Sequence, residues 1–179
     1  IMSRRLIEKA KKILQNETGT IYKKPGGKIK IVLIYPNTYY LGMSNLGFQT
    51  VYGLLNRRDD TLCERAFLPD EEDRDEYLRT GTELLTLESQ RRISDYDIVA
   101  FSVSFENDYL NIPEILSLSK IPLMREERGN NFPIIILGGI ATFFNPEPVS
   151  DFFDLVAVGE AEGMIDEIMD LYRSEAGRS

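Results

Sequence analysis

There is no histidine in the sequence, and a single cysteine, Cys63. The first absence removes the usual general base, the usual metal ligand and every Ser-His or Cys-His nucleophile pair. The two together exclude a thiolate or imidazole metal cage built from this chain alone. Carboxylate sites for magnesium have no recognisable spacing here. One cysteine cannot form an internal disulfide, which fits a reducing compartment. No apolar run reaches the roughly 20 residues of a membrane span, and no signal-peptide core follows the basic N-terminus. The expectation is a cytoplasmic protein that makes no membrane contact. Ile1, preceding Met2, is set aside as foreign to the native start.

The bulk composition is ordinary: 42% hydrophobic and 28% charged residues in 179, enough for one soluble domain with a core. The charge is uneven. Residues 1–30 hold nine Lys/Arg against two Asp/Glu, and the remainder holds twelve basic against 27 acidic residues. An acidic body repels nucleic-acid phosphates. The basic arm could touch RNA or an anionic membrane, but the simpler reading lays it on its own acidic body.

Periodicity predicts a short amphipathic helix in SRRLIEKAKKIL, with Leu6, Ala10, Ile13 and Leu14 on one face. A connector closes at Pro25, Gly26 and Gly27. Near-continuous apolar runs predict strands buried on both faces at 28–35, 97–104 and 132–137. Further strands are predicted at 61–68 and 155–158. Helices are predicted over 45–57, from Asn111 with a capping box to Glu114, and over 162–172. The acidic stretch 69–81 reads as a loop with a short helix, and 83–89 as a short strand or a turn of helix. Alternating strands and helices give an α/β fold: a flavodoxin-like three-layer sandwich. Its sheet has five mostly parallel strands in the order 2-1-3-4-5. The expected divisions are a basic arm (1–27), the domain (28–173) and the start of a linker (174–179).

Ligands of such sheets bind beyond the carboxyl ends of the strands. After the first strand comes YPNTYYLGMSNLG. Gly42 and Gly47 permit close approach, and Ser44 or Asn45 can cap the next helix. A tight turn with a cap needs no ligand, and the pattern is neither GxGxxG nor a P-loop. The candidate site residues are Gly42, Met43, Ser44 and Asn45 here, Ser102, Ser104 and Glu106 after the third strand, Gly138 and Gly139 after the fourth, and Gly159 and Glu160 after the fifth. Phe143 and Phe144 could line a wall, though aromatics at a loop are more often simple packing or an interdomain contact. Cys63 reads as a small buried side chain.

In order, YPNTYYLGMSNLG, ERAFLPD, LES, FSVSFENDYLN, GGIATFFNPEP and VGEAEG resemble the N-terminal region of radical S-adenosylmethionine proteins of the Fe–S oxidoreductase type. The similarity runs from about Lys24 to Tyr172. In that family the first domain looks like a cobalamin-binding domain. The resemblance implies a [4Fe–4S] cluster and S-adenosylmethionine in the parent polypeptide, held by a CxxxCxxC motif that this sequence lacks. It also lacks the DxHxxG loop whose histidine ligates cobalt, so cobalamin would bind without histidine ligation, or not at all. The expectation is an accessory, non-catalytic domain, cut before the catalytic barrel and degenerate for cobalamin. It would serve in substrate or cofactor presentation or in interdomain packing. Its partners would be the C-terminal radical SAM catalytic domain and a small molecule at the rim. A free-standing flavodoxin-like module binding flavin is the alternative. A response-regulator module ranks last, for want of an acidic cluster after the first strand and an aspartate ending the third.

Overall fold

The apolar runs form the middle of a parallel sheet. In the computed structural model, which describes residues 2–176, the strands are β1 (Ile29–Tyr35), β2 (Thr61–Phe67), β3 (Ile98–Ser102), β4 (Ile134–Gly138) and β5 (Leu155–Val156). All four pairings are parallel, and the order is β2-β1-β3-β4-β5. Register sets Ile31 beside Cys63 and Ile98, and Leu137 beside Val156. The helices are α1 (Arg4–Gln15), α2 (Tyr39–Met43), α3 (Leu46–Arg57), α4 (Glu71–Thr80), α5 (Ile112–Leu118) and α6 (Ala161–Ala176). The fold is the expected flavodoxin-like α/β sandwich with helices on both sides. No helix among the described residues is long and apolar enough to cross a membrane.

Because successive side chains of a strand point to opposite faces, each central strand feeds two cores. On one face Ile31, Leu33, Cys63, Ile98 and Ile136 pack with Phe48, Tyr52 and Leu55 of α3 and Met169 of α6. On the other, Val32, Ile34, Val99, Phe101, Ile135 and Leu137 pack with Ile112, Ile115 and Leu116 of α5. Cys63 is buried, and burial pushes its thiol well above the ordinary range, so it is a packing residue.

The outer edge of β2 is sealed by side chains. Lys23 Nζ donates to Thr61 O at 2.7 Å. The Asn56 amide takes both Cys63 N and Cys63 O at 3.0 Å. Arg65 N donates to Glu88 Oε2 at 2.8 Å, and Arg65 O accepts from Leu87 N at 2.7 Å. An edge so occupied cannot recruit another strand.

Several local expectations need correction. The acidic stretch after β2 is a full helix, α4, not a loop with a short helix. Asp70 Oδ1 accepts from Asp73 N at 2.9 Å, and Gly81 ends it at φ 65°. Its apolar periodicity is weak because Tyr77 is the single apolar residue it buries. The capping box at Asn111 does not form: Asn111 Nδ2 donates to Pro36 O at 2.8 Å, and Glu114 pairs with Arg74 at 2.5 Å. Segment 83–89 joins no ladder beyond one bridge, Leu85 to Arg92. β5 stops at Val156. Helix α6 runs through 174–176, and 177–179 of the expected linker lie outside the described residues, as does Ile1.

The basic arm does lie on the acidic body. Lys9 pairs with Asp70 at 2.6 Å and Asp73 at 2.5 Å, and Arg5 with Glu72 at 2.7 Å. Lys23 is spent on backbone carbonyls of Asn56, Arg58 and Thr61.

Candidate functional site

All the candidate residues emerge at the carboxyl end of one sheet, since every strand runs the same way. They divide among different tasks there. Ser102, Gly138, Gly139 and Gly159 line one slot. Asn45 Nδ2 donates to Ser104 Oγ at 2.9 Å, tying the β1 tip to the β3 tip. Ser44 Oγ donates back to Tyr40 O at 2.7 Å. Met43 turns toward a buried arginine, while Glu106 and Glu160 stand exposed.

The stretch GMSNLG closes the short helix α2 and caps α3. Asn45 Oδ1 accepts from Phe48 N at 2.9 Å, the bond an N-cap side chain makes. Gly42 is buried, and a Cβ there would meet Phe67 Cδ1 at 2.8 Å and Tyr35 Cβ at 3.0 Å. This glycine therefore lets α2 press onto the ends of β1 and β2, which is close packing within the protein rather than room for a ligand.

The slot lies between the sheet and the α3–α6 pair, floored by Leu33, Ala100 and Ile136 and roofed by Val51, Met164 and Ile168. Its volume is about 100 Å³, smaller than the roughly 150 Å³ apolar cavity that takes one benzene. Helix α6 is clamped at its far half: Arg58 reaches Asp166 and Asp170 at 2.6 Å each, and Arg173 reaches Asp60 at 3.1 Å. No group of three or more Asp, Glu, His or Cys among the described residues is placed to hold a metal ion.

Around the slot the strand tips expose large apolar side chains. Tyr40 and Leu41 follow β1, Phe105 and Leu110 (83% exposed) follow β3, and Ile140, Phe143 and Phe144 (77% exposed) follow β4. Leu46 and Val158 add to them. Scattered surface hydrophobes are normal, but a cluster at one end of a sheet marks a contact surface. Within this rim Asp108 is buried. Its Oδ1 accepts from Asn37 Nδ2 at 2.8 Å, while Oδ2 has no hydrogen-bond partner among the described residues. Burial raises its pKa, opposed by the Asn37 amide.

Sequence reading overlooked a buried charge network beneath GMSNLG. Arg65 is 1% exposed. Its Nε donates to Glu88 Oε1 at 2.6 Å, Nη2 lies 2.6 Å from Glu17 Oε1, and Nη1 lies 3.2 Å from Met43 Sδ. The guanidinium sits 4.6 Å over the Tyr52 ring. Burial works against ionised Glu17, but Arg65 and the Tyr39 hydroxyl outweigh it and hold its pKa low. Burial raises that of Glu88 despite Arg65. Burial and Glu17 push Tyr39 up to about 12. On the opposite side of β2, Glu64 Oε2 accepts from Thr86 Oγ1, Tyr96 OH and Ser89 Oγ at 2.6–2.7 Å. ERAFLPD and LES are thus two halves of one clamp, with Arg65 gripping Glu88 and Glu64 gripping Ser89. An arginine and two glutamates in separate apolar stretches were the available signal.

Also unforeseen is a groove of about 850 Å³ beside the β2 tip, walled by Leu6 and Ala10 of α1, Tyr39 and Tyr40 of α2, and Leu68 and Leu85.

Comparison with known proteins assigns this arrangement. A family described as radical SAM proteins, N-terminal, matches residues 47–179. The chain belongs to that family. The radical SAM N-terminal domain is also 28% identical over 134 residues to the uncharacterized protein MJ0966 of Methanocaldococcus jannaschii. That similarity covers 74% of this chain and 24% of the relative, so the chain spans about a quarter of the curated protein it matches.

Proposed function

We propose that this domain is a non-catalytic docking module that packs its carboxyl rim against the radical SAM catalytic domain of its parent polypeptide. One observation carries the reading: large apolar side chains, from Tyr40 to Phe144, crowd the strand tips and stay exposed. Apolar surface of this kind loses free energy to water at about 25 cal/mol per Å² until something covers it. The residues do not fit a histidine-ligated corrinoid, because the sequence has no histidine. They also offer a slot too small for a fused aromatic ring unless α6 moves away from α3. The slot is therefore read as degenerate for cobalamin. The iron–sulfur cluster and S-adenosylmethionine belong, on this reading, to the catalytic domain. Flavin binding by a free-standing module has no specific observation in its favour.

The test compares the parent polypeptide with its Phe143→Asp/Phe144→Asp variant. Both side chains are exposed, so the 179-residue chain carrying the same changes should melt like the unaltered chain. In the parent polypeptide the variant should show two separate thermal transitions and a larger radius of gyration by small-angle scattering. One unchanged cooperative transition with an unchanged radius would refute docking. Saturable micromolar binding of cobalamin in a spectral titration would refute the degenerate slot.

A further inference from the structure

The rim is short of more than polar surface. The loops 36–47, 103–111, 139–145 and 157–162, which leave β1, β3, β4 and β5, contain no lysine or arginine. They do contain Glu106, Asp108, Glu160 and Glu162. Asp108 is buried, and the three glutamates are exposed. The cations sit at the opposite end. The loops that enter the strands carry Lys23, Lys24 and Lys28 before β1, Arg57 and Arg58 before β2, Arg91 and Arg92 before β3, and Lys120, Arg125 and Arg128 before β4. Arg65, which touches Met43 below the β1 tip, is buried and spent on Glu17 and Glu88, and Lys9 and Arg5 of α1, by the β2 tip at the far end of the row, are paired to α4. The base mixes both signs, since Asp59, Asp60, Asp95, Asp97, Glu126, Glu127 and Asp154 lie among those cations, whereas the tips of β1, β3, β4 and β5 carry acidic and apolar side chains without a lysine or arginine.

Charge of one sign around an apolar centre selects a partner of the opposite sign and rejects a like-charged one. It also disfavours phosphate-bearing ligands, which need donors and cations that these tips lack. We infer that the partner face seated on the β3, β4 and β5 tips is basic, presenting lysine or arginine side chains to Glu106, Glu160 and Glu162 around an apolar centre of Phe105, Ile140, Phe143 and Phe144. The inference rests on the docking reading and adds to it the chemistry of the partner surface. A polar rim of this sort adds orientation and encounter rate, while the apolar centre supplies most of the affinity.

The experiment is differential footprinting of the 179-residue chain and of the parent polypeptide. Carbodiimide with glycine ethyl ester labels exposed carboxylates, and hydroxyl radicals label exposed phenylalanines. At low salt, labelling of Glu106, Glu160 and Glu162 should fall at least threefold in the parent polypeptide, together with that of Phe143 and Phe144. Glu126 and Glu127, which lie at the base, should label equally in both. Raising sodium chloride from 50 to 500 mM should restore much of the glutamate labelling, because exposed ion pairs are screened. If the phenylalanines are protected and the glutamates are not, or if glutamate protection ignores salt, the basic-partner inference is wrong and docking stands. If neither set is protected, docking itself is wrong. Protected glutamates with fully labelled phenylalanines would overturn the inference too, since the pairing is argued around an apolar centre.

Discussion

Two adjacent glycines at the β4 tip should respond in opposite ways to the same small change. A Cβ on Gly139 would meet Val103 N at 2.6 Å and its carbonyl oxygen closer still, and the residue sits at φ 98°. The colliding atoms are backbone atoms held by two bonds: Val103 N donates to Gly138 O at 2.9 Å, and Ala141 N donates to Val103 O at 3.0 Å. An L-residue at that φ costs about 1–3 kcal/mol, and forcing atoms into a packed site costs a further 1–3 or so. Gly139→Ala should therefore lose about 2–6 kcal/mol, since the β3 and β4 tips must separate to admit the methyl. A Cβ on Gly138 meets nothing nearer than Phe101 O at 3.8 Å and needs no unusual φ. Gly138→Ala should stay within about 1 kcal/mol of the parent, on the stabilising side because it stiffens the unfolded chain. Urea melts followed by far-UV circular dichroism suit a protein with no tryptophan. A Gly139→Ala midpoint equivalent to less than 1 kcal/mol, or equal damage at Gly138, would refute the close-approach reasoning and with it the geometry assigned to the slot's mouth.

Other consequences follow from the buried charges. Arg65→Met strands Glu88 without its cation and should cost about 3–5 kcal/mol at neutral pH. Burial raises the Glu88 pKa, so the folded state binds the proton more tightly and stability falls as pH rises through that value. The deficit should accordingly shrink in urea melts as pH drops toward the ordinary carboxylate range, and a deficit independent of pH would count against stranding. Asp108→Asn removes a buried carboxylate whose pKa is raised by burial and whose Oδ2 has no hydrogen-bond partner among the described residues. The variant should be more stable at pH 7 by about 1 kcal/mol and should match the parent near pH 4. Lower stability at both pH values would show that Oδ2 has a donor. Lys9→Gln breaks a partly exposed pair with Asp70 and Asp73. It should cost no more than about 1 kcal/mol, and thermal melts should show that cost fading at high salt.

The apolar runs IKIVLIY and IVAFS were legible as buried strands because no polar alternation breaks them, and their spacing with amphipathic segments implied the strand order. Segment 71–80 was not, because a helix that buries one tyrosine leaves almost no periodicity to read. The glycines of the rim were visible as glycines, but not the difference among them. Whether a glycine faces a ring, as Gly42 does, colliding backbone, as Gly139 does, or no more than an ordinary contact, as Gly138 does, depends on residues far along the chain. Arg65, Glu17 and Glu88 lie far apart along the chain, and their charges inside or beside apolar stretches hinted at burial without saying that they meet.

By itself the sequence determined the class of fold, the absence of imidazole chemistry and of a thiolate metal cage within this chain, and the family resemblance. These are properties of composition and of local periodicity, which survive without any contact being known. Tertiary structure alone decided that the candidate residues share one end without sharing one pocket, that ERAFLPD and LES grip each other, and that apolar and acidic side chains gather where no cation lies. Those facts depend on which loops a parallel sheet brings to the same side, and loop composition read along the chain does not contain that information until the strands are aligned.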